Sequence, residues 1–219
     1  MSKQPLRIDI VSDVVCPWCV IGYLRLQKAL AGFADLFETD VHWLPFELNP
    51  QMPAEGENLR EHLANKYGTT PQESIEARQR LTDLGADLGF AFNYSDDMRM
   101  YNTFNAHQLL HWAAAYDRQT ALSLQLFHDF FHHQKNVDDT EVLAEAAAAV
   151  GLNAQEARDI LQNQTYADSV RSLEQQITSQ GVQGVPLFIL NRQYGISGAQ
   201  EVQTFARQLQ QLLDENAAD

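Results

Sequence analysis

Cysteine is scarce in this chain: 219 residues hold two, Cys16 and Cys19. That number excludes a fold stapled by several disulfides, and the lack of a second C-x-x-C excludes a four-cysteine zinc site. Cations are also few, 15 Lys and Arg against 29 Asp and Glu, for a formal net charge of −14. A sequence-independent grip on nucleic acid needs clustered Lys and Arg, so no nucleic-acid partner is expected. No apolar run is long enough to cross a bilayer, and Met1 to Arg7 shows neither an apolar signal core nor a small-residue cleavage site. The expectation is a cytoplasmic protein without membrane contact. Repeats and low-complexity runs are absent too; what remains, 45% hydrophobic residues with 10% aromatic, suffices for a sizeable core.

Both cysteines fall in Cys16-Pro17-Trp18-Cys19. The segment before it, Arg7 to Val15, is rich in β-branched residues and reads as a strand; Val20 to Phe33 carries apolar residues at helical spacing. Cys16 is thereby placed near a helix N-cap, with Pro17 at the first helical position, where a missing N–H costs nothing. Unpaired backbone N–H groups and the positive end of the helix dipole favour thiolate there. The reading is that Cys16 is the nucleophile and Cys19, one turn into the helix and more buried, the resolving thiol. A structural disulfide across two residues would close too small a loop to stabilise much. A zinc site would have to recruit His107 and His111, or His128 and His132, but neither pair forms an H-E-x-x-H pattern. No metal and no organic cofactor is required.

Glu38 to Leu48 alternates as a second strand ended by Pro45 and Asn49-Pro50, which makes the opening unit β-α-β with a parallel pair. From about Asn58 to Thr178 nearly every segment reads as helix: Leu59 to Tyr67, Pro71 to Leu88, Met100 to Tyr116, Thr120 to His133, Thr140 to Val150 and Ala154 to Gln162. Val185 to Leu190 and Gln193 to Ser197 then read as a β-hairpin through Asn191-Arg192, and Gln200 to Leu213 as a last amphipathic helix.

This arrangement, with Cys16-Pro17-Trp18-Cys19 and Gly184-Val185-Pro186, resembles the DsbA family of the thioredoxin fold. Ser12 to Cys19, Pro45 to Pro50 and Gly181 to Pro186 look like its cytosolic FrnE-like branch, the polyketide-biosynthesis dithiol-disulfide isomerases. The resemblance implies an α/β thioredoxin fold whose β-α-β and β-β-α halves, residues 1–55 and 165–219, are interrupted by an all-helical domain, residues 56–164. It implies that Cys16 attacks, Cys19 resolves and Pro186 is a cis-proline facing the site. Pro17, Trp18 and Val185 are then expected to contact substrate, Val185 through its backbone. Asp13 or Glu47 could move a proton from Cys19, unless Asp13 serves its own loop and Glu47 is a solvated turn residue. Of the inserted aromatics, Tyr101, Phe104, Trp112, Phe127, Phe130 and Phe131 are available to roof the site, most of them as core.

The expected function is a thiol–disulfide oxidoreductase or isomerase acting on a protein or small-molecule thiol or disulfide, with glutathione among the candidate partners. An alternative on the same architecture is a glutathione-dependent enzyme of the kappa-class transferase or 2-hydroxychromene-2-carboxylate isomerase type. Those enzymes characteristically have Ser where this chain has Cys16. A non-catalytic binding module is a third reading. The apolar faces of the inserted helices fit either a core or a dimer interface.

Overall fold

The computed structural model describes residues 3–218, with side chains through residue 215. Met1 and Ser2, part of the segment read for a leader, lie outside the described residues. The chain opens with β1 (Gln4–Ser12), α1 (Pro17–Ala31) and β2 (Phe37–Pro45). β1 and β2 run parallel, from Gln4 opposite Phe37 to Ser12 opposite Pro45. Near the other end come β5 (Leu187–Leu190) and β6 (Tyr194–Ser197), antiparallel to each other, with β5 antiparallel to β1. The four-stranded sheet has the order β2-β1-β5-β6, so the strand that leads to the cysteines is central. Being central, it is buried from Ile8 to Ser12, and Asp9 is tolerated there because Arg7 Nη2 lies 2.6 Å from its Oδ1.

The hairpin turns as its sequence predicts: Asn191 and Arg192 both take positive φ (49° and 57°), and Gln193 N–H donates to Leu190 O at 3.0 Å. Positive φ at both central residues matches the right-handed twist of the flanking strands. α1 packs against β5 with no clearance at Gly22, where a Cβ would sit 2.9 Å from Phe188 Cζ and 3.2 Å from Ala199 Cα. The last helix, α9 (Val202–Ala218), covers the same side, with Phe205 and Leu209 fully buried.

Between β2 and β5 lie the helical block, α2 (Leu59–Tyr67), α3 (Pro71–Leu88), α4 (Phe104–Ala113), α5 (Gln119–Phe131), α6 (Thr140–Ala149) and α7 (Ala154–Asn163), and after it α8 (Ala167–Ser179). Its caps are local chemistry. Asn58 accepts from the N–H groups of Arg60 and Glu61, Thr70 and Glu73 form a capping box, and Asp139 and Asn153 cap α6 and α7. The block also contains a two-residue antiparallel ribbon, β3 (Glu57–Asn58) with β4 (Arg99–Met100), too short for a sequence pattern to reveal. The helix expected from Met100 to Tyr116 starts only at Phe104, because Met100 is drawn into this ribbon and the Asn102 side chain accepts from Phe104 N–H at 2.8 Å. It ends in a 3-10 turn, Ala114–Tyr116.

Candidate active site

Cys16 is the N-cap of α1 and Pro17 opens the helix, so the strand-to-helix junction forms as its sequence predicts. The loop is tied by Cys16 N–H donating to Asp13 O at 3.0 Å. Both cysteines are free thiols, buried, and 3.3 Å apart. Burial and the adjacent Cys16 push the Cys19 thiol well above its ordinary range, against a smaller downward pull from hydrogen bonds with Ser12 and the Asp13 backbone. Cys19 therefore holds its proton at neutral pH.

From the far end of the chain, Val185 reaches the same point. Cys16 Sγ donates to Val185 O at 3.8 Å, and the Val185-Pro186 peptide bond is cis. Val185 precedes β5, so its backbone is outside the β1–β5 ladder. Trp18 is 36% exposed, with the Arg80 guanidinium 5.9 Å from its ring centroid. The candidates Cys16, Pro17, Trp18, Cys19, Val185 and Pro186 are thus gathered at one end of the sheet.

Neither candidate carboxylate is a solvated residue. Asp13 is fully buried; its Oδ2 accepts from Leu48 N–H at 2.7 Å, and its Oδ1 has His107 Nε2 3.5 Å away. This braces the cysteine loop against the segment after β2. Glu47, expected as a possible solvated turn residue, is buried and paired with Arg171 of α8, and it accepts from Asn102 Nδ2 at 3.3 Å. Arg171 also reaches Glu174 at 2.9 Å and lies over the Phe104 ring at 3.7 Å. Within this cluster burial lowers the His107 value, but Asp13, Glu174 and Glu47 outweigh it and raise the imidazole above its ordinary range. Glu174 is raised by burial first and by Glu47 second.

A cavity of about 360 Å³ opens between the cysteine loop and the helical block. Its wall includes Cys16, Pro17, Trp18 and Val185 from the thioredoxin halves, Leu59, Leu63, Leu81 and Met100 from the insertion, and Phe130 and Phe131 from α5. Tyr94, Ser74, Arg78 and Lys66 line it as well; no sequence motif marked them, since each belongs to a helix or loop of ordinary composition. Phe130 and Phe131 thus meet the expectation of aromatics over the site, whereas Trp112 and Phe127 are core. Among the described residues, the grouping of three potential metal ligands is His128, His132 and His133, with ligand atoms within 4.8 Å of one another. It includes neither cysteine, so the pairing of Cys16 and Cys19 with histidines in a zinc site is not formed.

A probable DsbA oxidoreductase from Streptomyces coelicolor is 35% identical, with a TM-score of 0.89 over 96% of this chain and 91% of that one. Two more distant structures share the fold: a 2-hydroxychromene-2-carboxylate isomerase (13% identical, TM-score 0.70, covering 97% and 98%) and the cytosolic disulfide reductase DsbM from Pseudomonas aeruginosa, solved with glutathione (17%, 0.63, covering 95% and 99%). The DSBA-like thioredoxin domain matches residues 7–210, and with the 35% identical relative this shows that the chain belongs to that family.

Proposed function

We propose that Cys16 and Cys19 are the working redox pair of this DsbA-like thiol–disulfide oxidoreductase. Cys16 attacks a substrate disulfide as thiolate, forming a mixed disulfide and releasing one substrate thiol. Cys19 then attacks Cys16 Sγ, releases the second substrate thiol and leaves a Cys16–Cys19 disulfide, which an external thiol reduces. The observation that carries this reading is the approach of the two thiols to 3.3 Å, with Cys16 at the helix start and against Val185 O. The raised Cys19 value suits the order of events, because a protonated partner leaves Cys16 as the attacking sulfur.

Pro17, Trp18, Val185 and Pro186 form the substrate-facing surface in this proposal, with the Val185 backbone available to an extended chain. Residues 1–55 and 165–219 carry the chemistry, and residues 56–164 cover it. We place the protein in the FrnE-like branch and in the cytoplasm. No described helix is long and apolar enough to cross a membrane, and the DsbM relative is described as cytosolic. Glutathione is a candidate recycling thiol, since DsbM was solved with it.

The test is the two-electron midpoint of the pair, read by equilibration in graded glutathione buffers, acid quench and mass counting of alkylated thiols. A midpoint between about −120 and −270 mV establishes a working couple. A pair that never closes, or a Cys16–glutathione adduct that persists while Cys19→Ala retains turnover, would replace this reading with a glutathione-dependent enzyme.

A further inference from the structure

The cavity beside Cys16 has an electrostatic character opposite to that of the molecule. The chain carries 29 acidic residues and a net charge of −14, yet the cavity wall contains Lys66, Arg78 and His62 and no carboxylate; the nearby Glu57 carboxylate is taken up by His62 Nδ1 at 2.6 Å. Lys66 Nζ donates to Leu48 O and to Asn49 Oδ1 at 2.7 and 2.6 Å, both neutral acceptors, so its charge is not cancelled by a carboxylate. Arg78 stands 3.5 Å from Asp96 Oδ1, but Asp96 is exposed and already held by Arg60 at 2.7 Å. Excess positive potential in an apolar cleft of an acidic protein selects an anion.

Two hydroxyls point the same way. Ser74 is 6% exposed and its Oγ has no hydrogen-bond partner; the Tyr94 hydroxyl oxygen is likewise buried and unpartnered. A buried polar group without a partner costs about 1–3 kcal/mol, and a ligand oxygen would relieve that. The Tyr94 phenol stays protonated, because burial and then the nearby Cys16 push its value up. It is thus a donor to a ligand oxygen. Apart from Asn49, His62 and Thr69, the rest of the wall is mainly aliphatic and aromatic, and about 360 Å³ lies within the roughly 300–1,000 Å³ of small-molecule sites.

Resting on the redox reading above, we propose that this cavity binds a small organic disulfide or thiol with an apolar, preferably aromatic, body and one anionic group, and delivers its sulfur to Cys16. Glutathione fits the wall less well, since its ammonium group finds no carboxylate among the lining residues. The exchange balances without a cofactor. A disulfide R–S–S–R′ and the two protein thiols become R–SH, R′–SH and the Cys16–Cys19 disulfide, the two thiol protons passing to the released thiols and two electrons to the substrate. An external thiol returns the pair to the dithiol.

A non-exchanging probe separates binding from chemistry. 5-(Methylthio)-2-nitrobenzoate, a thioether, is titrated calorimetrically into the reduced protein beside its uncharged counterpart 4-nitrothioanisole. The anion is expected to bind one to one and about tenfold tighter than the neutral probe. Lys66→Met with Arg78→Met is expected to erase that preference, and Ala77→Trp, at an exposed position on the cavity wall, to weaken both probes about tenfold. Equal affinity of the two probes, no saturation at millimolar concentration, or wild-type binding by Ala77→Trp would overturn the proposal. If the double variant does not fold, the two probes on the parent protein and Ala77→Trp still decide. A normal midpoint without probe binding removes this site and keeps the redox pair; probe binding without disulfide closure does the reverse.

Discussion

Cys16 Sγ donates a hydrogen bond to the carbonyl oxygen of Val185 at 3.8 Å, joining residues 169 positions apart. The contact places the Cys16 sulfur beside backbone that lies outside the sheet ladder. In the proposed exchange, one extended strand or one small disulfide would lie against both.

Removal of the resolving thiol is expected to arrest exchange midway. Cys19→Ala should accumulate Cys16-linked mixed disulfides with added substrate, visible as mass adducts lost on reduction, whereas Cys16→Ala should form none. Turnover by Cys19→Ala without adducts would contradict the assigned roles.

The buried Cys19 thiol makes the stability of the reduced protein pH-dependent. Its native value is raised above the ordinary 9.0, so the unfolded chain loses this proton first. The stabilisation is complete below that ordinary value and is lost as pH rises through it toward the native value. Urea unfolding at about pH 7.5 and about pH 10 should show a decline that Cys19→Ala flattens.

Glu47 depends on Arg171. The Glu47 side chain is 2% exposed, so Arg171→Met leaves a buried carboxylate paired only with Asn102. The expected loss is about 2 kcal/mol, partly restored by adding Glu47→Gln, as measured in a double-mutant cycle of chemical denaturation.

At Gly22 the obstacle is packing. A methyl group there would meet Phe188 at 2.9 Å and the Ala199 backbone at 3.2 Å, so Gly22→Ala should cost about 1–3 kcal/mol despite alanine's better helix propensity. An unchanged or raised Tm would refute the close approach of α1 to β5.

What the sequence carried plainly was whatever depends on short-range chemistry. Helices read from Leu59, Pro71, Thr140 and Ala154 begin there, capped by Asn58, Thr70, Asp139 and Asn153, and Asn191-Arg192 turns the hairpin. The strand-Cys16-Pro17-helix junction was legible for the same reason. The β3–β4 ribbon was not, since two-residue strands pair across 40 intervening positions without a periodic signature. Nor were the partners of Glu47, because Arg171 lies 124 residues away on a helix whose pattern shows only an apolar face. Ser74, Arg78 and Tyr94 became recognisable only as neighbours around one cavity.

The central strand β1 has a temporal consequence. Its β2 partner begins at Phe37, but its β5 partner begins only at Leu187, after the whole helical block. A chain emerging from the ribosome therefore presents Cys16 and Cys19 long before Val185 can close over them. Pairing of such distant segments is slow, so the cysteines pass through synthesis as accessible thiols on an incomplete sheet. A reducing surrounding would protect that nascent stage, and the catalytic end of the molecule would be among the last parts to mature.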